Sequence, residues 1–239
     1  MTKDFHEVVL DQTDDAEVMD RLKIRELLEY ERYTRDNGYF DQEGACYSDD
    51  ATIHVSWFSG AAKDYIAKTK AAGGGGSKHK MNSTMIWLNG DKAIAEMSVT
   101  MLSPRQEIDG NEFDLVSYVR IFSELQKING QWKIVYGDCI YERDSLVPTL
   151  PGSNLKLDND KINQYRESYK CLCYVLSRSG QKADQASLVM TNQKRLKNCM
   201  LRPVNGSLTK YQKEVRQLAY FFFLNSSFKN LSKVAYSPD

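Results

Sequence analysis

From Asp14-Asp15 onward, apolar side chains at Val18, Leu22, Leu27 and Leu28 share one stripe of a 3.6-residue period, flanked by charges. That pattern predicts an amphipathic helix, and the left-handed residue offered by Asn37-Gly38 ends it after Asp36. Residues 40–46 read as a second, short helix, and Ser48-Asp49-Asp50 as a turn. Residues 51–58 (ATIHVSWF) are rich in β-branched and aromatic side chains and predict a strand. Residues 61–70 predict a helix closed by the glycine run Gly73 to Gly76. The period then drops to two over residues 78–88, 92–102, 113–128 and 131–141, with Pro104 ending the second of these strands. Asn89-Gly90, Asp109-Gly110 and Asn129-Gly130 separate them, dipeptides that favour tight hairpins. No helix crosses between the last four strands, so they form an antiparallel meander rather than a parallel α/β sheet. The expected fold class is α+β, a curved antiparallel sheet wrapped by N-terminal helices around a pocket.

A content of 41% hydrophobic and 27% charged residues is enough to bury a core. The longest apolar run, residues 218–224, is far too short to cross a bilayer. Met1-Thr2-Lys3-Asp4 leads into acidic sequence without an apolar segment, so no secretory signal is expected. The five cysteines (Cys46, Cys139, Cys171, Cys173, Cys199) are odd in number and scattered. Cys171 and Cys173 are too close together for a CxxC knuckle, and the set reads as reduced thiols of a cytoplasmic protein.

Only three histidines are present. His6 lies in an N-terminal arm (residues 1–14), and His54 sits mid-strand opposite Ile53, Val55 and Trp57, as a hydrogen-bonded structural histidine would. His79 opens the first meander strand directly after the glycine run, where the pocket opens. No G-x-G-x-x-G, phosphate loop, H-E-x-x-H or G-x-S-x-G occurs, and three scattered histidines suggest no metal site and no cofactor. The glycine run lacks a following Lys-Ser/Thr and reads as a mobile lip. Trp57, Met81, Met85, Trp87, Met97 and Met101 either face an aromatic or polycyclic ligand or fill the core.

The stretch RELLEYERYTRDNGYFDQEGACYSDDATIHVSW, with a meander ending in INGQWKIVYGDCIYERDSLVP, resembles the SnoaL-like branch of the nuclear transport factor 2-like superfamily. That superfamily includes scytalone dehydratase, bile acid 7α-dehydratase, ketosteroid isomerase and polyketide cyclases, besides members without catalysis. The resemblance covers residues 15–151 and implies a cone-shaped, cystatin-like roll. It aligns His79 with the catalytic histidine of the two dehydratases and Asp36 with their shared aspartate. A carboxylate in that place holds the imidazole in one tautomer, leaving the other nitrogen as general acid or base. The second titratable group those enzymes carry on the next strand is replaced here by Val99-Thr100-Met101-Leu102. Their last-strand arginine falls on Tyr141, with Arg143 close by, and a first-helix tyrosine falls on Glu31, with Tyr30 and Tyr33 on either side.

The catalytic candidates implied are therefore His79, Asp36, Tyr33 and Tyr30. The ligand-contact candidates are Tyr118, Trp57, Val55, Met81, Met101, Tyr141 and Arg143. The activity implied is a cofactor-free lyase (dehydratase) or isomerase/cyclase acting on a hydrophobic hydroxylated or carbonyl-bearing ring compound. The alternative is a non-catalytic binding or oligomerisation module of the same fold.

Charge is uneven along the chain. Residues 1–181 carry 22 Lys and Arg against 29 Asp and Glu, and residues 182–239 carry 10 against 3. A basic tail suggests nucleic-acid binding, but the aromatic block at Tyr220 to Phe223 is not interleaved with basic residues as RNA-binding arms are. Beyond the C-terminal extension (residues 152–185), back-translation from Ala186 in the neighbouring frame permits LPGDDQPEKVKELYAEACEWFFD followed by a stop. That peptide has a turn, an acidic helix start and an apolar stripe. Residues 186–239 are accordingly read as a frame-shifted translation, and neither nucleic acid nor a membrane is an expected partner. An outward row of Val116, Tyr118, Phe122, Val135 and Tyr141 on the last two strands predicts a homodimer or higher homo-oligomer.

Overall fold

A computed structural model describes residues 14–73, 76–150 and 157–184. His6, Cys199 and the tail from Ala186 lie outside the described residues.

Helix α1 (Asp15–Asn37) starts where the Asp14 carboxylate accepts the Ala16 and Glu17 amides at 3.0 and 3.2 Å, and it ends at Gly38, whose φ of 77° no branched side chain tolerates. After α2 (Phe40–Ala45) come β1 (Tyr47–Val55), β2 (Phe58–Ala61) and α3 (Ala62–Ala71). The meander follows as β3 (Lys78–Asn89), β4 (Lys92–Ile108), β5 (Asn111–Ile128) and β6 (Gln131–Pro148). Asp109-Gly110 and Asn129-Gly130 have positive φ at both residues, as two-residue hairpin loops require. The six strands form one sheet in the order β2-β1-β6-β5-β4-β3. All pairs are antiparallel except β1 with β6. The architecture is α+β, and the concave side of the sheet packs Ile24 and Leu28 of α1 against Met97, Val99, Leu115, Val119 and Ile134.

Four details depart from the periodicity. The expected turn at residues 48–50 lies inside β1, where the register with β6 slips between Tyr47 and Thr52. The expected strand over residues 51–58 is broken at Ser56-Trp57 into the arms of a hairpin. Strand β4 runs on past Pro104, because a register shift between Ser103 and Gln106 takes Pro104 and Arg105 out of the ladder. No proline N–H is missed there, and the Arg105 amide (φ 52°) bonds the Asp114 carboxylate at 3.0 Å. Strand β6 extends to Pro148, with a shift that pairs Tyr118 with Arg143 but Val119 with Tyr141. The shift sets Tyr141 among inward-facing residues, so it leaves the outward row expected for it; Phe122 in that row is also buried.

The C-terminal extension closes the open end. It comprises α4 (Asn159–Ile162), a 3-10 turn (Glu167–Tyr169) and α5 (Lys170–Arg178). Asp144 of β6 accepts the Leu172 amide at 2.7 Å and so caps the first turn of α5. Tyr169, fully buried, stacks on Tyr141 with ring centres 4.7 Å apart. At its far end Arg178 reaches Asp109 of the β4–β5 turn at 2.8 Å.

Candidate functional site

The inner face of α1 is set by the helical repeat: Leu28, Arg32 and Arg35 fall at i, i+4 and i+7 and point under the sheet. Tyr30 and Tyr33 lie on the opposite face and are 48% and 54% exposed. Asp36, in the last turn, meets the first residues of β3. Its Oδ2 accepts the His79 amide at 2.6 Å, and its Oδ1 lies 2.7 Å from His79 Nδ1. The Lys78 ammonium donates to the Asp36 carbonyl. The side chains of His79 and Asp36 are only 7% and 9% exposed.

Burial opposes ionisation of Asp36, but the hydrogen bonds and positive charge of His79, with Arg35 beside it, outweigh burial and hold its carboxyl below the usual range. A carboxylate can only accept, so the shared proton sits on Nδ1 and Nε2 of this cavity-lining histidine is left as a free base. Burial, assisted by the Arg32 and Arg35 charges, holds the His79 pKa below its ordinary 6.5 despite Asp36.

His79 lines a cavity of about 480 Å³. Around it stand Arg32 and Arg35 from α1, Tyr65 from α3, Ser77 just before β3, and an apolar wall that includes Met101, Leu115, Val119 and Ile121. Helix α5 contributes Leu172, Val175 and Leu176 as a roof. Of the expected ligand-contact residues, Val55, Trp57, Met101 and Tyr141 are on this wall. The Tyr141 hydroxyl accepts the Ser56 amide at 2.9 Å, which leaves its own proton to donate. Tyr118, Met81 and Arg143 are exposed and off the wall; alternation along β5 turns Tyr118 outward, and the register shift beside it turns Arg143 away from the side that Tyr141 faces. His54 bonds Ser59 through Nδ1 at 2.6 Å and packs on Tyr136, away from the cavity.

Behind the wall lies a buried charge network. Glu31 receives both Nε and Nη2 of Arg32 together with the Tyr47 hydroxyl at 2.7 Å. Arg35 donates through Nε to the Tyr65 hydroxyl at 2.9 Å and through Nη1 to Asp36 at 3.3 Å. Burial works against the charge of Arg32, but Glu31 outweighs it and holds the guanidinium ionised. Glu43 of α2 is fully buried, and neither carboxyl oxygen has a hydrogen-bond partner. Burial, reinforced by the Glu31 charge, pushes its pKa up to about 7.

A model of the SnoaL-like domain matches residues 16–137. The chain belongs to the SnoaL-like family. It is 31% identical over 165 residues to pea pathogenicity protein 2 of Fusarium vanettenii, covering 67% of this chain and 70% of that one. It is 32% identical over 167 residues to an uncharacterised protein of Emericella nidulans, covering 66% and 70%. Among solved structures of the same cystatin-like, nuclear transport factor 2-like class, a putative scytalone dehydratase from Novosphingobium aromaticivorans superposes with a TM-score of 0.47 at 16% identity. That match spans 58% of this chain and 99% of the other.

For a member of this family, sequence reasoning overlooked Arg32, Arg35 and Tyr65 and the roofing role of α5. A signal existed for the arginines. They sit at helical spacing from Leu28, on the stripe that should be apolar, and charges there must be neutralised inside.

Proposed function

We propose that this SnoaL-like protein is a cofactor-independent acid–base lyase or isomerase acting on a hydrophobic ring compound that carries a carbonyl group. The supporting observation is the Asp36–His79 pair itself, joined at 2.7 Å, nearly dry, and set in the wall of a cavity large enough for a ring system. His79 Nε2 takes the proton from the carbon next to the carbonyl, giving an enolate and an imidazolium steadied by Asp36. In a dehydration the imidazolium then returns that proton to the departing β-hydroxyl, which leaves as water while the carbon–carbon double bond forms. In an isomerisation it returns the proton to another carbon of the same ligand. The one carboxylate among the described wall residues, Glu107, is exposed to solvent, so the nearly dry histidine carries both transfers.

Deuterium incorporation at the α-carbon of 2-tetralone in heavy water, followed by NMR, tests the first step without knowledge of the natural substrate. The full chain should accelerate exchange, and His79→Ala should slow it by about 10²–10⁴-fold. Exchange at the uncatalysed rate with wild-type protein, or undiminished in His79→Ala, would remove the basis for this reading.

A further inference from the structure

The ion pairs of the buried network are not symmetric about the cavity. Arg32 and Arg35 lie on its wall, whereas the carboxylates that neutralise them, Glu31 and Asp36, lie behind it. Each pair therefore turns its positive end toward the ligand space. The two guanidiniums are nearly dry, at 9% and 12% side-chain exposure. Each has spent only part of its donor set on protein. Arg32 Nη1 and Arg35 Nη2 have no acceptor among the described residues, and neither is sealed in the protein interior.

A second hollow of about 520 Å³ adjoins the first and shares Arg35, Trp57 and Ser77 with it. Its wall adds Lys68 and Lys182 and, among the described residues, no carboxylate. Across both hollows the charged wall residues among those described are Arg32, Arg35, Arg178, Lys68 and Lys182 against Glu107. Low-dielectric walls with one sign of charge concentrate ligands of the other sign. Unspent guanidinium N–H groups that water cannot reach freely are strong donors to a two-oxygen anion.

We propose that the ligand is a carboxylate: a hydrophobic ring acid whose carboxylate is held by Arg32 and Arg35 while its ring lies on Met101, Leu115 and Val119, near His79. Lys68 and Lys182 form the vestibule by which the anion enters. This rests on the acid–base reading above and narrows its substrate class, making Arg32 and Arg35 specificity-determining residues.

The test pairs two ligands of similar shape, 2-naphthoate and neutral 2-naphthylmethanol, titrated calorimetrically into the full chain. The carboxylate should bind at least about tenfold more tightly. Arg35→Met and Arg32→Met should each bring 2-naphthoate toward the affinity of the alcohol and leave the alcohol unchanged, and His79→Ala should keep the preference. Equal affinities for the two ligands on the wild-type chain overturn the proposal, and that comparison does not depend on any variant folding. A preference that survives in both arginine variants overturns it too. Loss of the preference with α-carbon exchange intact removes only the substrate class. An intact preference without exchange removes only the acid–base reaction.

Discussion

Replacing Glu43 with glutamine isolates a group that the fold holds under electrostatic tension. In the native chain its carboxyl keeps a proton up to about pH 7, because burial and the neighbouring Glu31 charge both oppose ionisation. An unfolded glutamate releases it near the ordinary 4.5. Between those values the native state binds more protons than the unfolded state, so stability falls as pH rises. The contribution is fully present below pH 4.5 and fully lost above pH 7. A shift of that size corresponds to about 3 kcal/mol. A glutamine side chain in that place resembles the protonated acid at every pH, so the Glu43→Gln variant does not suffer the loss.

Thermal melts and urea titrations of both proteins from pH 4.5 to 8 should nearly coincide at the acid end. They should diverge until Glu43→Gln is the more stable by about 3 kcal/mol at pH 8, roughly 6–12 °C in melting temperature for a domain of this size. Parallel stability curves across that range would show that Glu43 finds a partner or water on ionising. The reasoning from its burial would then fail.

Asp36→Ala strips acceptors from both the ring and the amide of His79, and leaving that amide unpaired should cost about 1–3 kcal/mol in a urea titration. A loss under about 0.3 kcal/mol would mean that the pair carries no structural weight. With the His79 pKa held below 6.5, exchange activity should be flat at neutral pH and fall only as pH drops through a value under 6.5; a midpoint above 6.5 would contradict the burial argument. Asp144→Ala removes the cap of α5 and should cost about 0.5–2 kcal/mol while loosening the cavity roof, read as faster amide exchange across residues 170–178. We propose that resequencing of the coding DNA around codon 186 will reveal a one-base slip; a single open frame through Asp239 in independent isolates would end that idea.

Local pattern alone determined the α+β class, helices α1 to α3, the four-strand meander and its three hairpin turns, though not the split of one expected strand into β1 and β2, because periods of 3.6 and 2 and Asn/Asp-Gly dipeptides are properties of short segments. The pairing of Asp36 with His79 was legible only through family resemblance, since nothing within either segment states that residues 43 apart in sequence meet. Tertiary structure decided the rest. Whether Pro104 stops a strand depended on a bulge that relieves it of its ladder partner. Whether Tyr141 or Arg143 faces the ligand depended on a one-residue shift in β6, which reverses every side chain beyond it. The parallel contact of β1 with β6 and the roof supplied by α5 arise from long-range packing that no local period encodes. The positive face of the cavity has the same origin. Glu31 and Arg32 are adjacent in the chain, and only the placement of one behind the wall and of the other on it converts a neutral pair into a site for an anion.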